Sequence, residues 1–487
     1  MHMQEKQLLN ADIERLQAFE DGIRVMGRTF ARAAFADKAQ LNEICQEDLA
    51  NQVAEQGVEK AREMFGPMMM WVYAAKLDTK AASRKLSAHG FLQIQDLWQS
   101  FMLSRCSALL AQILDAQKLL DQKIRCVEVL AGDPHNGAFQ PIKFQLRGQK
   151  STDFLHKAVD PAPTILVSEL ASYLSERLGI QNFVDGVIAH SHGSYVREFF
   201  PVSKPRCAAE IEHYFYVFGV ISSVASWLEI TDLHFENIIS TNKGAKIIDI
   251  EFILSNSQYQ KSQWSHKNSG LFEPGTSPIG QVSNHTNILP RYALSGSEIM
   301  YTHISPTHAN HHIIKGADNQ PVSAVKYVKS VSAGAVAADK ILKNCNLCVF
   351  KTSAEILSRS HKIRCWIRGT AYYKILQIQL WLPPHELGER IECARRKLLS
   401  KKGINREISE VVKQRIVDAE LHDLLRGDIP YFWIDGQTGD LWHSSGLIQK
   451  NFGCSTEAAI KSRWKRWACR SPERKMSDIL LRMHNGK

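Results

Sequence analysis

At 487 residues, 44% of them hydrophobic, the chain is long enough to bury a substantial core and to form two or three domains or one elaborated catalytic domain. Ten cysteines scattered without framework spacing exclude a small disulfide-stapled module and fit free thiols in a reducing cytoplasm. A formal charge of +10 argues for an acidic partner without choosing among nucleotide phosphate, an acidic peptide, a membrane surface or nucleic acid.

The start of the chain is polar and leads into a mixed-charge helical pattern, with no apolar signal-peptide core. Residues 4 to about 127 carry helical periodicity, as in Ile13, Leu16, Phe19 and Ile23, and few Gly or Pro. Short strand-like runs follow at Arg125–Leu130, Ile142–Leu146 and Asp153–His156. A helix is predicted over about Thr164–Leu178, a strand over Tyr195–Phe200 and a long helix over about Ala208–Leu228. The uncharged stretch from His213 to Leu228 is too short and too rich in Ser and Tyr to span a bilayer, so no transmembrane segment is expected. Strands at Asn237–Ser240 and Lys246–Leu254 are joined by Thr241-Asn242-Lys243-Gly244, which suits a hairpin turn. Residues 255 to about 320 are rich in Ser, Asn, His, Gly and Pro and read as a long functional loop or lid. Helices return from about Lys340, and the tail carries the basic stretch Lys461–Lys475.

The chemistry concentrates between the long helix and the hairpin. Phosphoryl transfer needs a carboxylate to orient or deprotonate the attacking hydroxyl and oxygen ligands for Mg²⁺ on a triphosphate. The segment Thr231-Asp232-Leu233-His234-Phe235-Glu236-Asn237 supplies Asp232 as that carboxylate and Asn237 as a metal ligand. On a hairpin the returning strand brings Asp249 back toward Asn237 to share the metal, and Glu251, two residues on, projects from the same face. Lys157, closing a strand-like run upstream, would reach the phosphates as a point charge. Taken singly, Asp232 and Asn237 could cap a helix or turn, and His234 could brace the loop. As a set the capping reading fails, because Asp249 lies between Ile248 and Ile250 in an apolar run, where burial is costly without a cation or donor.

These residues, in this order, resemble the dehydratase domain of class II lanthionine synthetases, whose fold is similar to that of lipid kinases. The resemblance covers roughly residues 128 to 445. Its anchors are Gly132-Asp133-Pro134-His135-Asn136-Gly137, Lys157, Glu198 in Val196-Arg197-Glu198-Phe199-Phe200, Asp232 to Asn237, Asp249-Ile250-Glu251, Asn287-Ile288-Leu289-Pro290, Arg364 to Thr370, and Arg426-Gly427-Asp428-Ile429-Pro430-Tyr431-Phe432.

It implies an α+β protein with a two-lobed kinase-like core. Residues 1–127 would be an N-terminal helical region, 128–200 an N-lobe, and 201–487 a C-lobe with a helical C-terminal part and the 255–320 insertion. It further implies phosphorylation of Ser and Thr in a ribosomally made precursor peptide, with ATP and Mg²⁺, followed by elimination of phosphate. Phosphotransfer falls to Lys157, Asp232, His234, Asn237, Asp249 and Glu251, with Glu198 on the nucleotide side. Elimination falls to the segment holding Arg364, Arg368 and Thr370, with Arg364 and Thr370 as the candidates, and Asp133, His135 and Asn136 line the site.

Two departures stand out: Ala158-Val159-Asp160 follows Lys157 where the family usually has Pro and a basic residue, and Gly369 replaces a usual Pro. No cyclase half follows and no Cys/His set carries that domain's zinc spacing, so ring closure would need a separate cyclase. The alternatives are a kinase-only enzyme acting on a protein or lipid, including a secreted effector, and a non-catalytic peptide-binding scaffold. Three further features read as ordinary. Cys345 and Cys348 read as thiols, His303, His308, His311 and His312 as solvated loop residues, and Trp464 and Trp467 as inward-packed rather than nucleic-acid-binding.

Overall fold

The computed structural model describes residues 2–36, 41, 44, 46–74, 88–130, 137–148, 152–184, 186–199, 203, 205–233, 237–254, 290–295, 298–303, 322, 324–343, 359–381, 387–400 and 408–468. With 57% helix and 17% strand among the described residues, and antiparallel sheets, the chain is an α+β protein. It divides into two compact units, each discontinuous in sequence: residues 1–158, 285–305 and 368–431 in the first, and 159–284, 306–367 and 432–487 in the second.

The first unit opens with three long helices, α1 (His2–Phe35), α2 (Gln46–Ala74) and α3 (Ala88–Leu120), packed on one another. Small residues let them approach closely: a Cβ on Gly57 would lie 2.7 Å from Met102 Sδ, and the buried Trp98 indole donates to Gly57 O at 2.9 Å. An antiparallel meander follows, β1 (Ile124–Val129), β2 (Ile142–Leu146) and β3 (Asp153–Lys157). On β2, Ile142, Phe144 and Leu146 alternate inward, as a half-buried strand requires.

The second unit is built around one apolar helix. After α4 (Ala162–Leu178), which ends at a left-handed Gly179, come the hairpin β4 (Val187–His190) and β5 (Tyr195–Glu198) and then α5 (Ala208–Leu228). From Tyr214 to Leu228 all but Tyr216 are buried, which explains why the stretch is apolar all round. The hairpin β6 (Ile238–Thr241) and β7 (Gly244–Ile247) lies against α5 through Gly244, where a Cβ would lie 2.8 Å from Val217. The returning strand stops at Ile247 rather than running to Leu254, because β6 begins at Ile238 and offers no further ladder partner.

The first unit's second hairpin, β8 (Pro290–Ser295) and β9 (Glu298–His303), falls inside the stretch expected to be a loop. The remainder of residues 255–320, with Asn287–Leu289, His308, His311 and His312, lies outside the described residues, as do Cys345 and Cys348. Helix α6 (Val328–Lys343) packs on α5. Helices α7 (Thr370–Trp381), α8 (Leu387–Ser400) and α9 (Glu410–Leu425) lie in the first unit, within the stretch from about Lys340 where helices were expected. The same stretch of sequence also carries an antiparallel sheet that it did not announce, ordered β10 (Lys362–Cys365), β11 (Phe432–Asp435), β12 (Leu441–His443) and β13 (Gly446–Gln449). Helix α10 (Thr456–Ala468) packs Trp464 against the second unit's core; the side chain of Trp467 lies outside the described residues.

The α5–α6 crossing is a backbone contact. A Cβ on Gly219 would sit 2.0 Å from Val331 O, and one on Gly334 would sit 1.9 Å from Tyr216 O. Ser223 Oγ donates across the same seam to Ala335 O at 3.1 Å. Carbonyl oxygens on two packed helices cannot swing aside, so Gly219→Ala and Gly334→Ala should each cost about 3 kcal/mol or more. The check is the urea midpoint, and a loss below about 1 kcal/mol would contradict this packing.

Candidate active site

Helix α5 ends at Glu229, whose backbone is left-handed (φ 49°), and the chain turns into the segment that carries Asp232, which is itself left-handed (φ 66°). Asp tolerates that region better than most residues, and strained backbone concentrates at working sites. The other arm is the extended chain beyond β7, from Ile248 to Leu254. Three backbone bonds join the two arms: Ile248 N–H to Asn237 O (3.0 Å), Thr231 N–H to Phe252 O (3.1 Å) and Leu254 N–H to Leu228 O (2.7 Å). Asn237 Nδ2 donates to Asp232 O at 2.7 Å and closes the loop from within. Asp232, Asn237, Asp249 and Glu251 are thereby gathered on two short, bonded arms, all partly buried. His234 lies outside the described residues.

Glu229 is tied down as well, since its carboxylate meets Arg463 of α10 at 2.7 Å with both side chains nearly inaccessible. The residue expected to serve elimination enters on β10. Arg364 Nη1 donates to Glu251 Oε2 at 2.7 Å, its guanidinium lies 4.6 Å from the Phe252 ring centre, and that ring contacts the exposed Trp366. Asp160 supports the same strand: it accepts from Ala162 N–H at 3.0 Å and from Lys362 N–H at 2.9 Å. Burial pushes its carboxyl up, against those two N–H donors, which act the other way.

The donor set bears on which metal could sit here. Because the Asn237 amide nitrogen is committed to Asp232 O, its oxygen is the atom a cation would take, and Asp249 follows Ile248, whose N–H bonds Asn237 O. Among the described residues no group of three His, Cys, Asp or Glu side chains is arranged to hold an ion by itself. Magnesium is ordinarily held by one or two carboxylates plus waters and substrate phosphates, so an Asn/Asp oxygen pair fits a metal that arrives with a nucleotide.

A family model described as "Domain of unknown function (DUF4135)" matches residues 92–435. The chain belongs to the DUF4135 family. The match runs from within α3 to the last residue of β11, so it takes in every candidate residue in both units. No curated protein matches the chain. No helix among the described residues is long and apolar enough to cross a membrane.

The DUF4135 span also includes the candidates of the first unit. Lys157 ends β3 and is buried. Asp133, His135 and Asn136 lie outside the described residues, but Gly137 and Ala138 just after them are described, and a carboxylate holds both. Asp428 Oδ2 accepts from Gly137 N–H at 2.8 Å and from Ala138 N–H at 3.2 Å, although 290 residues separate it from Ala138. Gln377 donates to Asp428 O (2.7 Å), Lys60 to Gly427 O (2.7 Å) and Arg105 to Ala138 O (2.9 Å). Two of the sequence anchors are therefore joined through Asp428, a member of the Arg426–Phe432 motif whose spacing alone signals no such role. In the second unit Glu198 is exposed at the end of β5.

Three residues of the Arg364–Thr370 segment, Arg368, Gly369 and Thr370, belong to the first unit. Thr370 is exposed at the start of α7. Arg368 is not a surface cation: its Nε donates to Glu420 Oε1 and its Nη2 to Leu398 O, at 2.7 and 2.8 Å, with the Arg368 and Glu420 side chains about 1% and 0% exposed. Removing Arg368 would strand a buried carboxylate that Tyr373 also contacts at 2.8 Å. Arg368→Ala should cost about 3–5 kcal/mol in chemical unfolding. Arg364→Ala, at a site closer to solvent, should cost under about 2 kcal/mol. Equal losses would show that the two arginines share one structural role.

Proposed function

We propose that this DUF4135 protein phosphorylates Ser and Thr side chains of a ribosomally made peptide with Mg-ATP and then eliminates the phosphate to leave dehydroamino acids. The observation that carries the reading is the Arg364–Glu251 bond at 2.7 Å. It joins the residue expected to act on departing phosphate to one expected on the nucleotide side, so both half-reactions could draw on one place. The family's association with lanthionine synthetase-like proteins supports it independently.

Mg-ATP, when bound, supplies the γ-phosphoryl group and neutralises charge on the transferring oxygens. Asp232 orients the substrate hydroxyl and takes its proton as the oxygen–phosphorus bond forms and ADP departs. Asn237 and Asp249 are the residues that would hold the metal, and Lys157 would meet phosphate oxygens. In the second step a base removes the α-proton, the electron pair becomes the Cα–Cβ double bond, and the Cβ–O bond breaks to release phosphate. Arg364 stabilises the charge on that leaving group, which grows as the bond breaks. The family resemblance also assigns His234, Thr370, Asp133 and His135 to catalysis and Glu198 and Glu251 to nucleotide binding. The partners in this reading are the precursor peptide and a separate cyclase, and the setting is the cytoplasm.

The same ion pair gives a kinase-only reading specific support, because an Arg364 already matched by Glu251 could act as a brace. Intact mass of candidate precursor peptides co-expressed with the protein separates the two. Wild type should remove one water mass per modified residue, Arg364→Ala should accumulate phosphopeptide, and Asp249→Ala should leave the peptide unmodified. A stable phosphate gain with wild type would overturn the dehydratase reading in favour of the kinase.

A further inference from the structure

Arg364 can meet a leaving phosphate only if β10 holds its position, and β10 is the edge strand of its sheet. One side is paired with β11 in the register Lys362↔Asp435, Ile363↔Ile434 and Arg364↔Trp433. On such an edge the outward N–H groups have no strand to bond. Lys362 N–H is met instead by Asp160, a buried carboxylate 202 residues earlier in the chain, at 2.9 Å. The other oxygen of Asp160 accepts from Ala162 N–H at the first turn of α4, one of the donors a helix leaves unsatisfied.

The rest of the approach to Arg364 is fixed from the sheet side. Gly436 N–H donates to His361 O at 2.8 Å, and the His361 ring meets Thr456 Oγ1 at 2.9 Å and Arg359 O at 2.7 Å. Lys362 and Arg364 are two residues apart on an extended strand, so a shift that frees the Lys362 amide moves both side chains together. Asp160 is the carboxylate in this set: the His361 imidazole bonds on the sheet side, whereas Asp160 bonds β10 to a different element, α4. It touches neither Arg364 nor Glu251, and its effect on them passes through the backbone of β10.

We propose that Asp160 is a positioning residue for Arg364: by anchoring the edge of β10 to the start of α4, it holds the guanidinium against Glu251 and in place for phosphate elimination. The elimination clause rests on the dehydratase reading above; the positioning clause does not. Loss of the carboxylate lets β10 drift, and the reaction stalls after Oγ–phosphorus bond formation, with the α-proton still in place and the Cβ–O bond intact.

The test uses the full chain and two readouts. In hydrogen exchange followed by mass spectrometry, Asp160→Asn should accelerate exchange in the peptides covering residues 361–365 and 249–253, while peptides of α1 to α3 remain at wild-type rates. In co-expression with candidate precursor peptides, Asp160→Asn should raise the ratio of phosphorylated to dehydrated product about 10-fold, the size carried by outer-shell groups that orient working residues. A rate change confined to 361–365, or none, would overturn the proposal. So would global unfolding of Asp160→Asn, which would make the carboxylate a general support of the fold. Asp160→Glu, which keeps two acceptor oxygens, should recover part of the protection; if it behaves as Asn does, the anchoring role fails. Wild type yielding no dehydrated peptide would defeat the dehydratase reading alone, with exchange still deciding whether Asp160 positions Arg364.

Discussion

The candidate site depends on a short set of bonds between two arms that are not a sheet. The segment from Leu228 to Asn237 and the segment from Ile248 to Leu254 are joined by three backbone hydrogen bonds, and Asn237 adds a fourth bond inside the first arm. Backbone polar groups in a buried, irregular stretch must find partners, and here they find one another. The consequence reaches the side chains. A regular hairpin would have placed Asp249 and Glu251 by strand alternation alone. The break after Ile247 lets the second arm follow the turn after α5, whose left-handed Glu229 and Asp232 match a left-handed Leu254 on the other arm. Strain at three non-glycine positions is tolerable only because the surroundings over-determine them.

Those surroundings begin with α5. Its apolar circumference and the glycine seam with α6 make it a rigid post, and the site hangs from its C-terminal end. Charge then fixes what packing cannot. Glu229 is held by Arg463, Lys362 N–H by Asp160, and Arg364 by Glu251, each across a large separation in sequence and each within the second unit. A nearly inaccessible charge pair such as Glu229–Arg463 contributes little net stability, since desolvation cancels much of its attraction, but an unmatched member is severely penalised. Such a pair acts as a registration device, because a displaced arm strands a charge.

Much of this was legible in the sequence wherever a single element carried its own signal. Helix α5 could be read at about Ala208–Leu228, most of it the uncharged stretch His213–Leu228, and the β6–β7 turn from Thr241-Asn242-Lys243-Gly244. Strand β2 could be read as a strand-like run at Ile142–Leu146, and α4 as a helix over about Thr164–Leu178. What escaped were elements whose stability is tertiary. Strands β10 to β13 are three or four residues each, too short for a period to register, and they exist because they pair with one another. The strand overrun to Leu254 has the same origin, since an apolar run says that a segment is buried, not that a partner strand continues beside it.

The arginines of one seven-residue segment show where reading by spacing stops. Arg364 and Arg368 are four residues apart and were weighed together, yet their partners differ in kind. Arg364 meets Glu251 beside two aromatic rings, one of them on an exposed tryptophan, while Arg368 is sealed between Glu420 and the carbonyl of Leu398. A guanidinium whose bonds end inside a sealed pocket has nothing left to offer a substrate. One that shares a carboxylate near solvent can exchange that partner for a phosphate at modest cost, because both ligands are anions that accept the same fork of N–H groups. Asp160 and Asp428 extend the point to acids. Both lie in sequence next to motifs that attracted attention, and both are occupied in holding backbone N–H groups rather than in chemistry. The residues that make a site possible are thus of the same types as those that would work in it, and only their partners tell them apart.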